Sequence, residues 1–540
     1  MATVAQVMVK TLKDLGVQYI FGVPSGNWVD YMAAIEETDG LEFVLISNEA
    51  SGGFMADVCW RLTGKIAACF GTFGPGACNM TTGVCGGFLD RSPMIAFSDE
   101  INNKMRNRIC QMNIDHQTLF KPITKWTTRL EPGSVRQTIT KAFQTALSEV
   151  PGPVHIGLPA GIGELDSPEE DNLNPAVKKI PSPESDSLKR MSDLFNAAKK
   201  PVFALGISTI RSNVRDIILE LIQKFNIPAV LTPMAKGMVP EGNPFYTGVL
   251  NHALGHIVGK VHQQADLVIG IGFDQVELNY EDWMPDVPLI HIDTTPADLD
   301  ADQFNPACNV VGDIYETLKF LLNLDCPAKE WNTKNLIENK INLFTQLTPS
   351  KDFFGVLNVL KKLRKKLPDD GIMTCDVGAH LHVIGQQWKT PSPFCQLMTN
   401  GCSSMGFAIP AAIAAKIALP ERQVCCVVGD GGYYMMAGEM ATALRLNKNI
   451  VFIVLIDSSL SLIRIKQERK GNSQYGTQID TKLSGHLSSH TLFGVPVYPA
   501  KTIHEYDNAL ADAFNEQGPA IIEAYINTKD YEALVLKGNR

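Results

Sequence analysis

The segment that decides the fold lies in the last third of the chain, where residues 424–432 read VCCVVGDGG. An apolar run of this length predicts a buried β-strand, and its Gly-Asp-Gly ending predicts a tight turn. The helix-like segment YYMMAGEMATALRL follows at 433–446, and a second apolar run, IVFIVLID, follows at 450–457. Strand, helix and strand in this order predict a βαβ unit, whose two strands lie parallel in one sheet.

The same alternation of short apolar runs and helix-length segments continues through all 540 residues. The first third has predicted strands at 19–23, 43–47, 65–71 and 94–98, and the middle third includes PVFALG at 201–206 and ADLVIGIG at 265–272. Two polar stretches, 166–187 and 324–351, carry no strand pattern and predict domain boundaries. The sequence therefore predicts an α/β fold with three doubly wound parallel-sheet domains, at 1–165, 185–325 and 350–540.

Composition and charge narrow the class of protein. The net charge is −9, so no basic field favours binding to nucleic acid or to an acidic membrane surface. The longest apolar run, 450–456, is far shorter than the ~18 residues of a membrane-spanning helix. The twelve cysteines contain no C-x-x-C pair, which predicts neither a zinc site nor a disulfide framework. We expect a cytoplasmic, multidomain protein without a nucleic-acid or membrane partner.

Two carboxylates follow the two strands of the βαβ unit described first. Asp430 ends the first strand, and Asp457 ends the second strand 27 positions later. The carboxyl ends of parallel strands share one edge of a sheet, where the glycines beside Asp430 leave backbone N–H groups open to an anion. A Gly-Asp-Gly segment alone is more often an ordinary tight turn. With the second carboxylate, the pattern predicts a Mg²⁺ site beside a phosphate.

The segment from Gly429 to Asp457 resembles the thiamine-diphosphate motif of thiamine-diphosphate-dependent decarboxylases and carboligases, which begins with Gly-Asp-Gly and usually ends with Asn-Asn. The resemblance assigns Mg²⁺ binding to Asp430, Asp457 and the carbonyl of Ser459. Because Ile456 and Asp457 replace the usual asparagine pair, one metal ligand here is anionic.

Other segments resemble the same family. MGFAIPAA at 405–412 is similar to the segment with a bulky residue that bends the cofactor, and DVGAH at 376–380 is similar to a segment of acetolactate synthases. SNEA at 47–50, followed by RLTGK and GPGA, resembles the first domain, in which Glu49 would hydrogen-bond and activate the aminopyrimidine ring. The resemblance implies cofactor contacts by Glu49, Thr72, Asn79, His380, the Ser403 carbonyl, Met405, Gly429, Gly431 and Gly432.

The family likeness covers the whole chain in the order pyrimidine-binding, central and diphosphate-binding domain. In that family the cofactor lies between the first domain of one subunit and the third domain of another. The resemblance therefore implies a homodimer or homotetramer that acts on a small 2-oxo acid or a related carbonyl compound.

Differences between this sequence and the motifs of the family indicate which reaction of the family is favoured. Enzymes that release a free aldehyde carry an aspartate, a His-His pair and a glutamate where this chain has Gly26, no such pair and Ile463. Their absence favours transfer of the acyl-anion equivalent to a carbonyl acceptor, as in an acetolactate-synthase-like carboligase. Aldehyde release, acyl-CoA lyase chemistry, phosphate-dependent acetyl transfer and a non-catalytic subunit of the same fold remain alternatives. Candidates for the substrate pocket are Asn27, Gln111, His116, Leu460 and Ile463, with His116 equally compatible with an ordinary helix-surface histidine.

The central domain raises the question of a second cofactor. Acetolactate synthases bind FAD there, partly through an arginine near the segment Gly-x-Arg-Phe-Asp-Asp. The present chain has GIGFDQVE at 270–277, with two acidic residues and no arginine. Negative charge beside a diphosphate is unfavourable, so the sequence argues against FAD.

Overall fold

The computed structural model describes residues 1–168, 176–299, 305–479 and 491–535. These residues form three α/β units, each built on a parallel sheet flanked by helices, which confirms the predicted fold class. Part of the predicted boundary at 166–187 lies outside the described residues. Within the described residues, no helix combines the length and the apolar character that crossing a bilayer demands.

The first sheet has six parallel strands in the order β2-β1-β3-β4-β6-β5. Its helix α1 begins at a Thr3 capping box, in which the Thr3 and Gln6 side chains bond each other's backbone N–H groups. The strands are β1 (Tyr19–Gly22), β2 (Glu42–Leu45), β3 (Ala68–Gly71), β4 (Ile95–Glu100), β5 (Trp126–Arg129) and β6 (Val154–Pro159), and the helices are α1 (Val4–Asp14), α2 (Val29–Glu36), α3 (Glu49–Thr63), α4 (Pro75–Leu89), α5 (His116–Phe120) and α6 (Val135–Leu147).

The second sheet repeats this architecture with the strand order β12-β11-β10-β7-β8-β9. A helix within the polar stretch 324–351 contacts the helix that follows β9. The strands are β7 (Pro201–Leu205), β8 (Ala229–Leu231), β9 (Tyr246–Val249), β10 (Leu267–Ile271), β11 (Leu289–Asp293) and β12 (Cys308–Val311), and the helices are α7 (Ser185–Ala197), α8 (Ile207–Arg211), α9 (Arg215–Phe225), α10 (Gly255–His262), α11 (Ile314–Leu322) and α12 (Thr333–Gln346).

The third sheet has the order β14-β13-β15-β16-β19-β18-β17, and only the last pair, β18 with the short β17, is antiparallel. The strands are β13 (Ile372–Cys375), β14 (Gln396–Leu397), β15 (Val424–Gly429), β16 (Ile450–Ile456), β17 (Thr491–Leu492), β18 (Val495–Ala500) and β19 (Ala520–Tyr525). The helices are α13 (Val356–Lys366), α14 (Ala379–Gln387), α15 (Ala408–Ala418), α16 (Asp430–Met436), α17 (Glu439–Arg445), α18 (Ser461–Arg469), α19 (Ile503–Asn515) and α20 (Lys529–Leu534).

The central strands of the third sheet are buried on both faces. In β15, Cys425 and Val427 belong to one hydrophobic core, whereas Cys426 and Val428 belong to another. Successive side chains of a strand point to opposite faces, so a strand covered on both sides must be apolar throughout. This requirement explains the continuous apolar runs in the sequence, and it leaves the strand ends as the places where polar chemistry can occur.

Helix α3 of the first unit packs against helix α15 of the third, with Phe54 and Phe407 in an edge-to-face contact at 5.5 Å between ring centroids. Beside them, Arg61 bonds the buried carboxylates of Asp57 at 2.7 Å and Asp90 at 3.1 Å. Asp90 in turn accepts hydrogen bonds from the backbone of residues 400 and 401. A buried ionic network therefore joins the first unit to the third within one chain.

Candidate active site

Asp430 lies where the strand order of the third sheet reverses, between β13 and β15, which is the place where open α/β sheets bind ligands. Its carboxylate accepts hydrogen bonds from the N–H groups of Gly431 at 2.8 Å, Ser458 at 2.8 Å and Asp457 at 3.3 Å. Burial, and secondly the negative charge of Asp457, raises the pKa of Asp430 to about 7. The two carboxylates predicted from the sequence are therefore neighbours that repel each other.

Asp457 directly follows β16 and is held from two sides. The Ser459 N–H donates to one of its carboxylate oxygens at 3.0 Å, and the Ser461 hydroxyl donates to the other at 2.9 Å. Burial raises the pKa of Asp457 as well. The Ser459 hydroxyl oxygen is buried without a hydrogen-bond partner. Two repelling carboxylates beside an unsatisfied oxygen are a donor set suited to a hard divalent cation such as Mg²⁺.

A cavity of about 130 Å³ opens beside these carboxylates. One side of the cavity, which we call the glycine floor, is formed by Gly431 and Gly432, and other side chains pack closely against both glycines. A methyl group added at Gly431 would lie 2.9 Å from the tip of Leu460 and 3.0 Å from that of Met405, and one at Gly432 would lie 2.1 Å from a carboxylate oxygen of Asp376. Side chains are excluded here, which leaves room for a ligand such as a diphosphate to lie directly against the backbone at the start of α16.

The cavity brings together most of the residues that the sequence assigned to the last domain. Apolar side chains and glycines form most of its lining, and the only two carboxylates among the described lining residues are Asp430 and Asp457. The predicted site residues among them are His380, Met405, Gly429, Asp430, Gly431, Gly432, Asp457, Ser459, Leu460 and Ile463.

His380 is fixed by a residue that the sequence analysis did not single out. Its Nε2 lies 3.0 Å from Oδ1 of Asp376, and the other oxygen of Asp376 accepts the Gly406 N–H at 2.6 Å. Asp376 is fully buried at the end of β13, so it connects the histidine to the segment after Met405. Its position directly after an apolar strand, as for Asp430 and Asp457, is the signal that could have revealed it.

Glu49, Thr72 and Asn79 form a second group, in the first unit. Glu49 is the first residue of α3 and is buried, and Asn79 donates to its Oε2 at 3.1 Å. A methyl group added at Gly76 would lie 3.1 Å from both Glu49 Oε1 and a Thr72 methyl, so these side chains flank one glycine. The buried carboxylate of Asp99 accepts a hydrogen bond from the Ser25 hydroxyl, and burial raises the pKa of Asp99 more than the nearby Thr72 hydroxyl lowers it. The predicted cofactor residues of the first domain thus converge as well.

The loop before Glu49 is held from the third unit. The Oε1 of Glu439, on α17, accepts the backbone N–H groups of Ser47 at 3.1 Å and Asn48 at 3.0 Å. Glu439 is 1% exposed, and its buried carboxylate holds the turn before Glu49 in place through these two hydrogen bonds. The sequence analysis missed Glu439, which is the first residue of α17, a position where an acidic side chain is ordinary and signals no distant contact.

Other predicted residues are not brought to either group. Gln111 and Ser403 are exposed, and Ser403 has a left-handed backbone with φ of 51° and does not line the Asp430 cavity. Asn27 is half-buried in a short 3₁₀ helix after β1. Among the described residues that line the Asp430 cavity, none comes from the first unit, so Glu49 and Asp430 belong to separate half-sites within one chain.

His116 is not the helix-surface residue considered in the sequence analysis, because only 2% of it is exposed. Its Nδ1 bonds the Ser98 hydroxyl at 2.8 Å, and its Nε2 accepts the Gly74 N–H at 3.4 Å. Burial lowers the pKa of His116 to about 4, so the ring is neutral at physiological pH. The sequence placed this residue at a helix start but could not show that its ring turns inward.

In the central unit, the chain's own side chains fill the place where the strand order reverses, between β7 and β10. Glu277 is buried there, accepting the Ile207 N–H at 2.8 Å and the Thr232 hydroxyl at 2.5 Å. Tyr280 covers Gly270 so closely that a methyl group there would lie 1.8 Å from its hydroxyl. A carboxyl group thus occupies the backbone donor that a nucleotide phosphate would use, and the residues present do not fit such a ligand.

Comparison with known proteins agrees with this geometry. Residues 2–119, 188–321 and 376–524 match three families, described as the thiamine pyrophosphate enzyme N-terminal TPP binding domain, central domain and C-terminal TPP binding domain. The chain is 28% identical to a probable acetolactate synthase large subunit of Methanococcus aeolicus, over 99% of this chain and 94% of that protein.

Two further relatives are similar over nearly their full length. An acetolactate synthase of Bacillus subtilis is 26% identical, over 97% of this chain and 93% of its own, and the acetolactate synthase isozyme 1 large subunit of Escherichia coli is 28% identical, over 98% and 94%. With all three domain types present in order, the chain belongs to the family of thiamine-pyrophosphate-dependent enzymes and is of the acetolactate-synthase-like kind.

Proposed function

We propose that this protein decarboxylates a 2-oxo acid and transfers the acyl-anion equivalent to a carbonyl acceptor, using thiamine diphosphate and Mg²⁺. The observation that carries the proposal is the pair of buried carboxylates, Asp430 and Asp457, above a glycine floor at the reversal point of the third sheet. The similarity to acetolactate synthases along the whole chain supports the same reaction class.

In this proposal Asp430, Asp457 and the Ser459 carbonyl hold Mg²⁺, and the backbone at Gly431 and Gly432 faces the diphosphate. A divalent cation would remove the repulsion that raises the pKa of Asp430. Bound thiamine diphosphate supplies a nucleophilic carbon and an electron sink. Met405 lines the same cavity and is the bulky side chain against which the cofactor would bend.

Glu49 would exchange a proton with the aminopyrimidine ring. Its carboxyl group is buried, and Asn79 holds only Oε2 by a side-chain bond, which fixes the orientation of the other oxygen. Proton transfer by an oriented carboxyl group is efficient because donor and acceptor are already in place. The bonds from Glu439 to the preceding turn add to this orientation.

The separation of the two half-sites supports a homo-oligomer. Glu49 belongs to the first unit, whereas the cavity at Asp430 is lined by residues of the third unit alone within the described chain. We propose that the Glu49 group of one protomer faces the Asp430 cavity of its partner, in a dimer or a tetramer. The substrate candidates Asn27, Gln111 and His116 would then approach the cavity from the partner's side.

The apolar character of the cavity favours transfer over release of an aldehyde. Leu460 and Ile463 line it, and Ile463 stands where aldehyde-releasing relatives have a glutamate. Without a carboxyl group there, the chain offers no proton donor at that position to complete release. For the central unit, the buried carboxyl group of Glu277 leads us to propose that FAD is not part of this enzyme.

The test is incubation with Mg²⁺, thiamine diphosphate and a panel of 2-oxo acids, following CO₂ and condensed products together. We expect CO₂ with a 2-hydroxyketone or an acetolactate-type product. CO₂ with free aldehyde alone would contradict the transfer step, and cofactor binding without any turnover would favour a non-catalytic role. Glu49→Gln should retain the cofactor but lose at least about a hundredfold in kcat, whereas the exposed control Glu36→Gln should not.

A further inference from the structure

A second and much larger cavity lies between the central and third units. We name it the histidine chamber, after the residues His252, His256, His262 and His382 that line it. Its volume is about 910 Å³, compared with about 130 Å³ beside Asp430. Val377 and Leu462 line both cavities, so the chamber adjoins the place where the cofactor would react.

The chamber holds buried nitrogen atoms that have no partner within the protein. The Nδ1 of His262 and the indole N–H of Trp283 are both buried without a hydrogen bond, and their rings meet edge-to-face at 5.0 Å between centroids. His262 is 5% exposed. An indole N–H can only donate, and a buried donor left unsatisfied costs stability. The Trp283 N–H therefore indicates a ligand with a hydrogen-bond acceptor, and the His262 Nδ1 can donate to the same ligand in the tautomer that protonates this nitrogen.

The rings of His382 and His252 lie edge-to-face at 4.7 Å between centroids. Burial lowers the pKa of His382 to about 3 and that of His262 to about 4, so both rings are neutral at pH 7 and each keeps one N–H. The side chain of Lys260 also lines the chamber and adds a positive charge.

Acidic groups in the chamber do not oppose an anion strongly. Burial raises the pKa of Glu277 to about 8, and its carboxyl group is already bonded to Ile207 and Thr232. Asp282 lines the chamber but is exposed to solvent. The charges of Lys260 and Asp282, which are both exposed, are opposite in sign, so the buried nitrogen atoms of His262 and Trp283 carry the preference for an acceptor.

We propose that the histidine chamber binds the end of the substrate remote from the reacting carbonyl, and that it selects 2-oxo acids carrying a second acidic group, such as a carboxylate, sulfonate or phosphonate. This inference rests on the proposed function of the Asp430 cavity, which would bind the reacting end. The shared residues Val377 and Leu462 set the path between the two ends. The volume accommodates a side chain considerably longer than a methyl group.

The first test measures binding, so that it does not depend on turnover. Calorimetry with the enzyme loaded with Mg²⁺ and thiamine diphosphate compares succinate with butanoate, which have the same number of carbons but differ by one carboxylate. We expect succinate to bind about tenfold tighter or more, because hydrogen bonds to a charged group are stronger than neutral ones. His262→Phe and Trp283→Phe keep an aromatic side chain but remove the ring nitrogens, and each should lower this preference at least about threefold. The exposed control His504→Gln should leave it unchanged.

The second test measures turnover of matched substrates. The kcat/KM for CO₂ release should be at least about tenfold higher with 2-oxoglutarate than with 2-oxopentanoate, or with 3-sulfopyruvate than with 2-oxobutanoate. Equal binding of succinate and butanoate, unaffected by either ring variant, would overturn the chamber assignment. A succinate preference that the ring variants lower, without CO₂ from any 2-oxo acid, would support the anion site and instead contradict the proposed decarboxylation. Selective binding without selective turnover would overturn its role in substrate choice.

Discussion

Replacing Asp457 by asparagine tests the arrangement of the two carboxylates with little change in shape. The Ser459 N–H that donates to Asp457 Oδ1 at 3.0 Å still finds an oxygen in the variant, and the Ser461 hydroxyl at the other oxygen can turn to accept from the new amide. The change removes one negative charge beside Asp430 and restores the asparagine that is usual in relatives at this position. Its effect on stability should therefore come from electrostatics.

The size of the effect follows from the pKa of Asp430, which is about 7 in the fold against an ordinary 3.8. A difference of this size corresponds to about 4 kcal/mol of lost folding free energy at pH 8. Burial is the larger cause and the charge of Asp457 the second, so removing that charge recovers only part of this cost. Asp457→Asn should thus raise the free energy of unfolding by about 1–2 kcal/mol without Mg²⁺ at pH 8.

The stabilisation by Asp457→Asn should increase with pH. A carboxyl group whose pKa is raised in the fold costs no stability while it is protonated in both states, and it costs most once the pH exceeds its folded pKa. The gain from Asp457→Asn should therefore be full above pH 7 and vanish toward pH 4. With Mg²⁺ present, the wild type should become the more stable of the two proteins, because it offers the cation one more negative ligand.

The assay is urea unfolding of the wild type and the variant at pH 4, 6 and 8, with and without Mg²⁺ and thiamine diphosphate. The Mg²⁺ concentration for half-maximal stabilisation should be about tenfold higher in the variant. The exposed Asp286→Asn serves as the control for loss of a charge elsewhere. Equal unfolding midpoints at pH 8 together with an unchanged Mg²⁺ requirement would refute the reasoning.

Three further substitutions test other parts of the structure. Gly431→Ala should change the unfolding free energy by less than about 1 kcal/mol, since only the flexible tips of Leu460 and Met405 must move. The same variant should lower thiamine diphosphate affinity at least about tenfold in a fluorescence titration, and unchanged affinity would argue against the role of the glycine floor. Asp99→Asn should raise the free energy of unfolding by about 3 kcal/mol at pH 8 but not at pH 4, because burial raises the pKa of Asp99 to about 6. An equal gain at both pH values in urea unfolding would contradict this prediction. Arg61→Met should cost about 3–5 kcal/mol in the same assay, because it leaves two buried carboxylates without their cation, and a loss below about 1 kcal/mol would show that they are otherwise compensated.

The parts of the fold that follow from local pattern could be predicted from the sequence. Strands buried on both faces must be apolar throughout, as in β15 and β16. The positions of these strands, and the fact that they run parallel, could therefore be inferred from the sequence. The carboxylates Asp430 and Asp457 could be paired because both end such strands. The same reasoning extends to any polar residue placed directly after a buried run.

What the sequence could not show depends on contacts between distant segments. Asp376 directly follows a buried strand, as Asp430 and Asp457 do. Its role becomes visible only through its hydrogen bond from the Gly406 N–H, which lies 30 residues further along the chain. Glu439 is 391 residues from the Asn48 N–H that it accepts. His116 begins a short helix, a position that fits exposure as well as burial, and only the packing of β4 against it decides the matter. Tertiary partners of this kind carry no periodic signal.

The three sheets use the same position, where the strand order reverses, in three different ways. In the third sheet the position is lined by glycines and two carboxylates that repel each other, an arrangement that a bound cation would stabilise. In the first sheet it presents Thr72 and the buried carboxyl groups around it, which can exchange protons. In the central sheet the buried carboxyl group of Glu277 accepts the Ile207 N–H, so this backbone donor already has a partner within the chain. Fold similarity among the three units therefore implies no similarity of ligands, because the side chains that follow each strand decide which position stays open.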